Sequence, residues 1–182
     1  MHPRLAAVIT HADTARAELL AAVDAIPEPL REARPTETAW SAAEVLEHLM
    51  RVEKGIAKLL VMKVGEVQAM PDAPRKALDI ADFSCPRLDV LLDRASRIDA
   101  PERVVPVGEL SADAARGALL ETRRSLLEQL HAADGLALSA VIHPHPFLGP
   151  LDLYEWVYFV ALHERRHTAQ VREIAAHFAT AN

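Results

Sequence analysis

The sequence from residue 41 to residue 60, SAAEVLEHLMRVEKGIAKLL, has the pattern of an amphipathic helix with a defined N-terminus. Ser41 followed by Glu44 forms a capping box, in which the serine hydroxyl and the glutamate carboxylate satisfy amides at a helix N-terminus. Apolar residues then recur every three or four positions, the periodicity of one helical face: Val45, Leu49, Val52, Ile56, Leu59 and Leu60. The stretch therefore predicts an amphipathic helix over about residues 42–63, with Trp40 packed just ahead of it.

Three further stretches have the same helical periodicity. Proline is excluded from helix interiors, so the twelve prolines of the chain mark where helices must stop. The first helix is predicted within residues 4–26, the third within 111–135 and the fourth within about 152–178. The fourth opens with Asp152 and Glu155, the spacing of a second capping box.

The segment between the second and third helices is too long for the turn that joins antiparallel neighbours. It contains five prolines and predicts a crossover, with a short extra helix from Leu88 to Ile98. Val104 and Val105 are expected to pair with residues 138–142 as a small ribbon outside the helices. The predicted architecture is all-α: a four-helix bundle with one long crossover, as a single domain over residues 1–182.

Composition excludes several classes of protein. Alanine occupies 33 of 182 positions and aromatic residues only 4%, which favours helix packing over an all-β fold. A net charge of -6 argues against a nucleic-acid partner, and the longest aromatic-aliphatic run, residues 156–162, is too short to cross a membrane. Cys85 is the single cysteine, expected as a small buried residue, and the first residues lack a signal-peptide pattern. We therefore expect a cytoplasmic protein.

Three histidines form a candidate metal site. His163 and His167 are four residues apart and share the face of the fourth helix that carries its apolar residues. His48 lies on the inward face of the second helix and supplies a third imidazole. Three histidines with an open fourth position are typical of catalytic zinc, although nickel, iron, cobalt or manganese also accept imidazole. The alternative interpretation is three histidines with ordinary hydrogen bonds.

Two further side chains are placed to orient these imidazoles. Gln170 follows His167 by three residues on the same face, and Glu44 precedes His48 by about one turn. Either could hold a ligand through its second ring nitrogen. A capping role for Glu44, and a hydrogen bond at the edge of the core for Gln170, are the alternatives.

The string from His163 to His167 also matches H-E-x-x-H, the zinc-peptidase pattern in which the glutamate is the general base. The third histidine of the extended peptidase motif is absent, because Glu173 occupies its position. We therefore interpret Glu164 as a solvated charge or as an ion-pair partner of Arg165 or Arg166. His143 and His145, which flank Pro144 in a predicted loop, are left out of the site.

Three short motifs together resemble a known family: WSAAEVLEHL at residues 40–49, PFLGPL at 146–151 and HERRHTAQ at 163–170. The chain resembles the DinB/YfiT-like superfamily of bacterial metal-binding four-helix-bundle proteins over nearly its whole length. The resemblance implies an up-down-down-up bundle, a divalent metal on His48, His163 and His167, and a homodimer. It also implies transfer or isomerisation reactions that use a low-molecular-weight thiol such as mycothiol, bacillithiol or glutathione, or hydrolysis.

The first functional hypothesis is a metal-dependent enzyme that acts on a small molecule by thiol transfer, isomerisation or hydrolysis. A tri-histidine dication lowers the pKa of a bound water or thiol toward neutrality, so the chain need not supply its own nucleophile. The second hypothesis is a metal- or ligand-binding stress-response protein without turnover. A third is a bundle that only associates with itself.

Overall fold

The computed structural model describes residues 1–69, 85–95 and 99–180. Within these ranges the four long helices are α1 Pro3–Asp24, α2 Ala42–Gln68, α3 Ala112–Ala132 and α4 Leu153–Thr180. Short 3₁₀ helices lie between them at Glu28–Leu30, Pro86–Leu92, Glu102–Val104 and Leu138–Ala140. Two strands, β1 Ile142–His145 and β2 Gly149–Asp152, form an antiparallel hairpin just before α4.

The helices form a bundle in which α1 packs mainly against α4, and α2 mainly against α3. One core cluster joins the starts of α1 and α4 to the ends of α2 and α3, with members such as Leu5, Trp156, Leu60 and Leu130. A second cluster joins the opposite ends, with members such as Val23, Ile174, Leu46 and Ala115. Helices α1 and α4 therefore run in one direction and α2 and α3 in the other, which confirms the up-down-down-up bundle.

Both predicted capping boxes are present. The amide of Glu44 donates to Ser41 Oγ at 3.1 Å, and the amide of Ser41 donates to Glu44 Oε2 at 2.8 Å. At the start of α4 the amide of Glu155 donates to Asp152 Oδ1 at 2.8 Å, and Glu155 Oε2 accepts in return. These bonds satisfy amides that a helix N-terminus leaves without intrahelical partners. The starts of α2 and α4 are thus fixed locally, whereas α2 extends to Gln68, beyond the predicted end.

The crossover differs from its prediction in two respects. The short helix is a 3₁₀ helix over Pro86–Leu92, and the predicted end at Ile98 lies outside the described residues. The predicted ribbon is wrong, because Val104 ends a single 3₁₀ turn and does not pair with residues 138–142. The ribbon instead joins β1 to β2, where Gly149 adopts a φ of 73° and lets the chain turn back tightly.

A layer of buried charges crosses the centre of the bundle, with one residue from each helix. Arg16 Nε donates to Glu164 Oε1 at 2.8 Å, and Arg123 Nε donates to Glu53 Oε1 at 2.6 Å. Arg16 also pairs with Glu53, and Arg123 with Glu164. Glu164 is only 1% exposed, so its interpretation as a solvated charge or a partner of Arg165 or Arg166 is wrong. Its partners lie on other helices, which a local pattern does not reveal.

Cys85 is buried at the start of the 3₁₀ helix Pro86–Leu92, as predicted for a small packed residue. Its thiol lies 3.2 Å from Glu155 Oε1, and burial, assisted by this carboxylate, raises the pKa of the thiol to about 11. The thiol is therefore protonated and a poor nucleophile at neutral pH. Among the described helices, none is both long enough and apolar enough to span a bilayer.

Candidate metal centre

His48, His163 and His167 meet between α2 and α4. His163 Nε2 lies 3.3 Å from His48 Nε2 and 3.2 Å from His167 Nε2, and the three candidate ligand atoms all lie within 4.8 Å of one another. His48 and His167 are buried, and His163 is half-buried. The structure therefore brings together all three histidines that the sequence analysis selected.

Hydrogen bonds on the far side of two rings determine which nitrogen faces the centre. His48 Nδ1 donates to the carbonyl oxygen of Val104 at 2.8 Å, and His167 Nδ1 donates to Gln170 Oε1 at 2.8 Å. A carbonyl or amide oxygen only accepts, so Nδ1 carries the hydrogen in both rings. In both rings Nε2 therefore carries the lone pair, and it faces His163 Nε2. This arrangement suits a cation shared by the three rings.

Burial keeps these imidazoles neutral. It lowers the pKa of His48 below its ordinary value, and the hydrogen bond to Val104 only partly opposes this effect. Burial and the neighbouring His48 lower the pKa of His167 to about 3. Burial, with the two other imidazoles, holds the pKa of His163 well below its usual range. At neutral pH all three rings are thus in the unprotonated form that binds metal.

The spacing of the nitrogens fits a metal ion. Zinc–nitrogen bonds are about 2.0–2.1 Å long, so two imidazole ligands at a tetrahedral angle lie roughly 3.3 Å apart. The two shortest contacts, at 3.2 and 3.3 Å, match this separation. Within the described ranges, this group of candidate ligands has three members. The cluster could therefore hold a divalent ion and leave positions open, although three imidazoles do not by themselves specify the metal.

A large cavity reaches the three histidines. Its volume is about 870 Å³, and α2, the crossover, the β1–β2 hairpin and α4 all contribute to its lining. Trp40 lies with its ring 5.0 Å from that of His48, and Phe159 stacks on His163 at 5.2 Å. Val52 and Leu59, which the helical pattern assigned to the core, line this cavity and are only partly buried. The histidine cluster therefore adjoins an aromatic-walled space large enough for a small molecule.

The segment that supplies the Val104 carbonyl is attached to α2 through Glu47, the residue before His48. Buried Glu47 accepts hydrogen bonds from the amides of Val107 and Gly108 at 3.2 and 3.1 Å. Gly108 has a φ of 75°, and a Cβ atom there would lie 3.2 Å from Glu44 Oε1. A glycine is therefore needed where this segment passes close to α2.

The two residues proposed to orient the ligands have different roles. Gln170 contacts His167 directly, as the sequence analysis proposed. Glu44 caps α2 and pairs with Arg34, and its hydrogen bonds are not to an imidazole. The acceptor for His48 is instead a backbone carbonyl of the crossover, which no side-chain pattern could have revealed.

His143 and His145 also line the cavity, although the sequence pattern had placed them in a loop outside the site. Both belong to strand β1 rather than to an unstructured loop. The ring of His145 lies 4.7 Å from that of Phe159, whose other neighbour is His163. The available signal was the alternation of His143, Pro144 and His145, which places both imidazoles on one side of a strand.

The glutamate of the H-E-x-x-H string does not belong to the centre. Glu164 is buried in the charged layer with Arg16 and Arg123, and those ion pairs hold its carboxylate among the other helices. A peptidase general base must reach a water on the metal. The geometry therefore supports the interpretation that the match to this motif is accidental.

Comparisons with known proteins agree with this architecture. The chain is similar to "Uncharacterized protein YuaE" of Bacillus subtilis (strain 168), with 28% identity over 142 residues, 78% of this chain and 80% of the relative. A solved structure described as "TT2238, a four-helix bundle protein" superposes with a TM-score of 0.59 at 22% identity, covering 93% of this chain and 98% of that one. The sequence profile of the DinB superfamily matches residues 11–171. The chain therefore belongs to the DinB superfamily.

Proposed function

We propose that this protein is a divalent-metal-dependent enzyme that acts on a small molecule in the cavity beside His48, His163 and His167. The observation that carries the proposal is the convergence of three neutral imidazole nitrogens at the edge of an open cavity. A structural metal site is closed by a fourth protein ligand, whereas a catalytic site leaves a position open. The three-member cluster within the described ranges therefore favours turnover over storage.

The chain's own residues orient and shield the centre. The Val104 carbonyl and Gln170 fix the rings of His48 and His167, so that little reorganisation is required when an ion binds. Trp40 and Phe159 cover the rings and reduce access of bulk water. A divalent ion at this site would supply Lewis acidity that lowers the pKa of a bound water or thiol.

Two classes of reaction fit this arrangement, namely transfer or isomerisation with a low-molecular-weight thiol, and hydrolysis. In both classes a water or an added thiol would serve as the nucleophile, so neither class needs a nucleophilic side chain. Cys85 does not provide one, since burial keeps its thiol protonated. Thiol chemistry is the first choice of reaction, because the sequence motifs resemble those of the DinB/YfiT-like superfamily. Zinc or nickel is the first choice of metal, and iron, cobalt and manganese are also compatible with imidazole ligands.

The test is the metal content of tag-free protein, measured by inductively coupled plasma mass spectrometry. We expect about one equivalent of a transition metal in the wild type, and its loss in His48→Ala, His163→Ala and His167→Ala. The matched control is His131→Ala, which removes an exposed histidine of α3 outside the site. Circular dichroism verifies that each variant is folded.

Metal in the wild type and in the control, with loss in the three variants, justifies a screen of thiol cosubstrates and hydrolysable esters and amides. Wild-type protein that binds no metal after incubation with zinc, nickel or manganese contradicts the proposal. Metal binding without turnover across the screen favours the alternative of a non-catalytic metal- or ligand-binding protein.

A further inference from the structure

The cavity beside the histidines has the opposite charge character from the protein as a whole. The chain has a net charge of -6. Among the described residues that line the cavity, however, Asp99 is the one acidic side chain, and four are arginines: Arg51, Arg94, Arg103 and Arg166. Low-dielectric walls strengthen such a field inside a cleft and attract ligands of opposite charge. The lining therefore favours an anionic occupant.

The arginines differ in what already holds them. Arg51 pairs with Glu47 at 2.7 Å, and Arg94 pairs with Glu173 at 2.6 Å. Arg166 donates to two backbone carbonyls, those of Leu91 and Asp93. For Arg103, by contrast, the described part of the chain provides no hydrogen bond or ion pair. The N–H donors of the Arg103 guanidinium are therefore available to bind a ligand.

His145, which also lines the cavity, supplies a hydrogen-bond donor. Its Nδ1 accepts from the amides of Phe147 and Leu148 at 3.2 and 3.3 Å, so the hydrogen of the neutral ring is on Nε2. Burial, with the nearby positive charge of Arg103, lowers the pKa of His145 to about 4. The ring is therefore a neutral donor at pH 7, and it lies within the electrostatic reach of Arg103.

Aromatic rings adjoin His145. The ring of Trp156 lies 5.1 Å from that of His145, and Phe147, which is 59% exposed, lies 6.0 Å from it. A ligand with a charged end and an apolar body would place the body against these rings.

We propose that the cavity binds a small organic anion, with its carboxylate held by Arg103 and by His145 Nε2–H and its apolar body packed against Trp156 and Phe147. This inference names the substrate class for the proposed enzyme and rests on that proposed function for calling the ligand a substrate. Arginine suits this task because its planar guanidinium matches a carboxylate in two parallel hydrogen bonds.

The test compares 3-phenylpropionate with its uncharged analogue 3-phenylpropionamide. Both tryptophans of the chain, Trp40 and Trp156, line the cavity, so fluorescence titration reports its occupancy. We expect the carboxylate to bind at least tenfold more tightly than the amide. Arg103→Gln should abolish this preference, and His145→Phe should reduce it. The matched control is Arg124→Gln, which changes an arginine of α3 that is 61% exposed and paired with Glu121.

Each titration is performed on chelator-treated protein and on zinc-loaded protein. A preference that is present in both forms and lost in Arg103→Gln supports the inference. A preference that appears only with zinc and survives in Arg103→Gln places the carboxylate on the ion; this overturns the inference but leaves the proposed metal centre intact. Equal affinities, or no binding of either probe, also overturn it. A carboxylate preference in protein that takes up no metal supports the anion site and contradicts the proposed enzyme.

Discussion

The hydrogen bond between His167 Nδ1 and Gln170 orients the imidazole of a candidate metal ligand. The amide oxygen of Gln170 lies 2.8 Å from His167 Nδ1 and leaves Nε2 free to face His48 and His163. Such outer contacts fix the tautomer and ring orientation, and their loss weakens metal binding by roughly 10–100-fold. Substitution of Gln170 therefore tests whether the orientation of the His167 ring affects metal binding.

We expect Gln170→Leu to weaken zinc binding by roughly 10–100-fold, because the ring of His167 loses its acceptor. Competition with a chromophoric chelator measures the affinity. Gln170→Glu should retain tight binding, since a carboxylate oxygen also accepts. Gln129→Leu, on α3, is the control. Unchanged affinity in Gln170→Leu contradicts the orienting role.

The lowered pKa values of the three histidines make the stability of the metal-free protein depend on pH. Burial lowers the pKa of His48, His163 and His167 in the folded protein, whereas the unfolded chain takes up protons near its ordinary value of about 6.5. The unfolded state therefore binds more protons below that pH. Metal-free protein should lose stability as the pH falls from 6.5 to 5, by up to about 1.4 kcal/mol per pH unit for each ring, and should show little dependence on these rings above 7.

Urea denaturation at pH 7, 6 and 5 in the presence of chelator measures this dependence. His167→Gln should have a smaller pH slope than the wild type, because it removes a ring that stays neutral in the folded state. His131→Ala, an exposed position, is the control and should retain the wild-type slope. A slope in His167→Gln equal to that of the wild type excludes this explanation.

At the scale of the elements, the crossover completes the centre by passing close to the start of α2. Glu47 holds the amides of Val107 and Gly108, and the same segment presents the Val104 carbonyl to His48. Helix α2 thus contributes His48, a candidate metal ligand, and one residue earlier Glu47, which anchors the segment that carries the hydrogen-bond acceptor of His48. The approach depends on a glycine with a φ of 75°.

Gly108→Ala should destabilise the protein by about 1 kcal/mol or more, because alanine disfavours this φ and its Cβ would crowd Glu44. It should also weaken metal binding by displacing Val104. Gly117→Ala is a control of opposite sign: Gly117 lies within α3, its added Cβ meets nothing within 4 Å, and alanine favours a helix. Thermal melts and chelator competition measure both effects. Equal stability changes in the two variants contradict this account.

At the scale of the whole molecule, the charged layer connects all four helices. Arg16, Glu53, Arg123 and Glu164 come one from each helix, and all are nearly inaccessible to water. Two positive and two negative groups balance formally. Removal of one partner leaves a buried charge without compensation. The free-energy cost of that unpaired charge exceeds the stabilisation that the intact pair provides.

Glu164→Gln should lower the free energy of unfolding by about 3–5 kcal/mol, because Arg16 and Arg123 lose a charged partner. The folded fraction should keep its metal, since Glu164 lies in this layer and not among the three ligands. Glu121→Gln, which changes an exposed glutamate of α3, is the control and should have little effect on stability. Urea denaturation and metal analysis of the same samples separate the two roles. Loss of metal with retained stability would instead assign Glu164 to the centre.

The superfamily resemblance also predicts a homodimer. Sedimentation equilibrium should give a mass near twice the 20.0 kDa of the chain, because small soluble proteins commonly form two-fold oligomers. The measurement is made with zinc and with chelator, so that an effect of metal on assembly is detected. A monomeric mass under both conditions contradicts the prediction.

The four helices and the three candidate histidines could be predicted from local patterns in the sequence. Helical periodicity and the capping pairs Ser41–Glu44 and Asp152–Glu155 are local properties, so they can be recognised without coordinates. The length of the segment between α2 and α3 indicated a crossover, and the resemblance to the DinB superfamily implied that these two helices run in the same direction. An i, i+4 pair such as His163 and His167 must share one face, and an inward His48 on a facing helix was the natural third member.

The surroundings of those histidines depend on long-range packing. Glu164 pairs with Arg16, 148 residues away, and His48 uses a backbone carbonyl from position 104. The hairpin brings His145 and Phe147 into the cavity, although the local sequence resembles a loop. Such contacts depend on how separate elements pack, and no local periodicity encodes them. The convergence of the three histidines was therefore predictable, whereas most of the groups around them, such as the Val104 carbonyl and His145, were not.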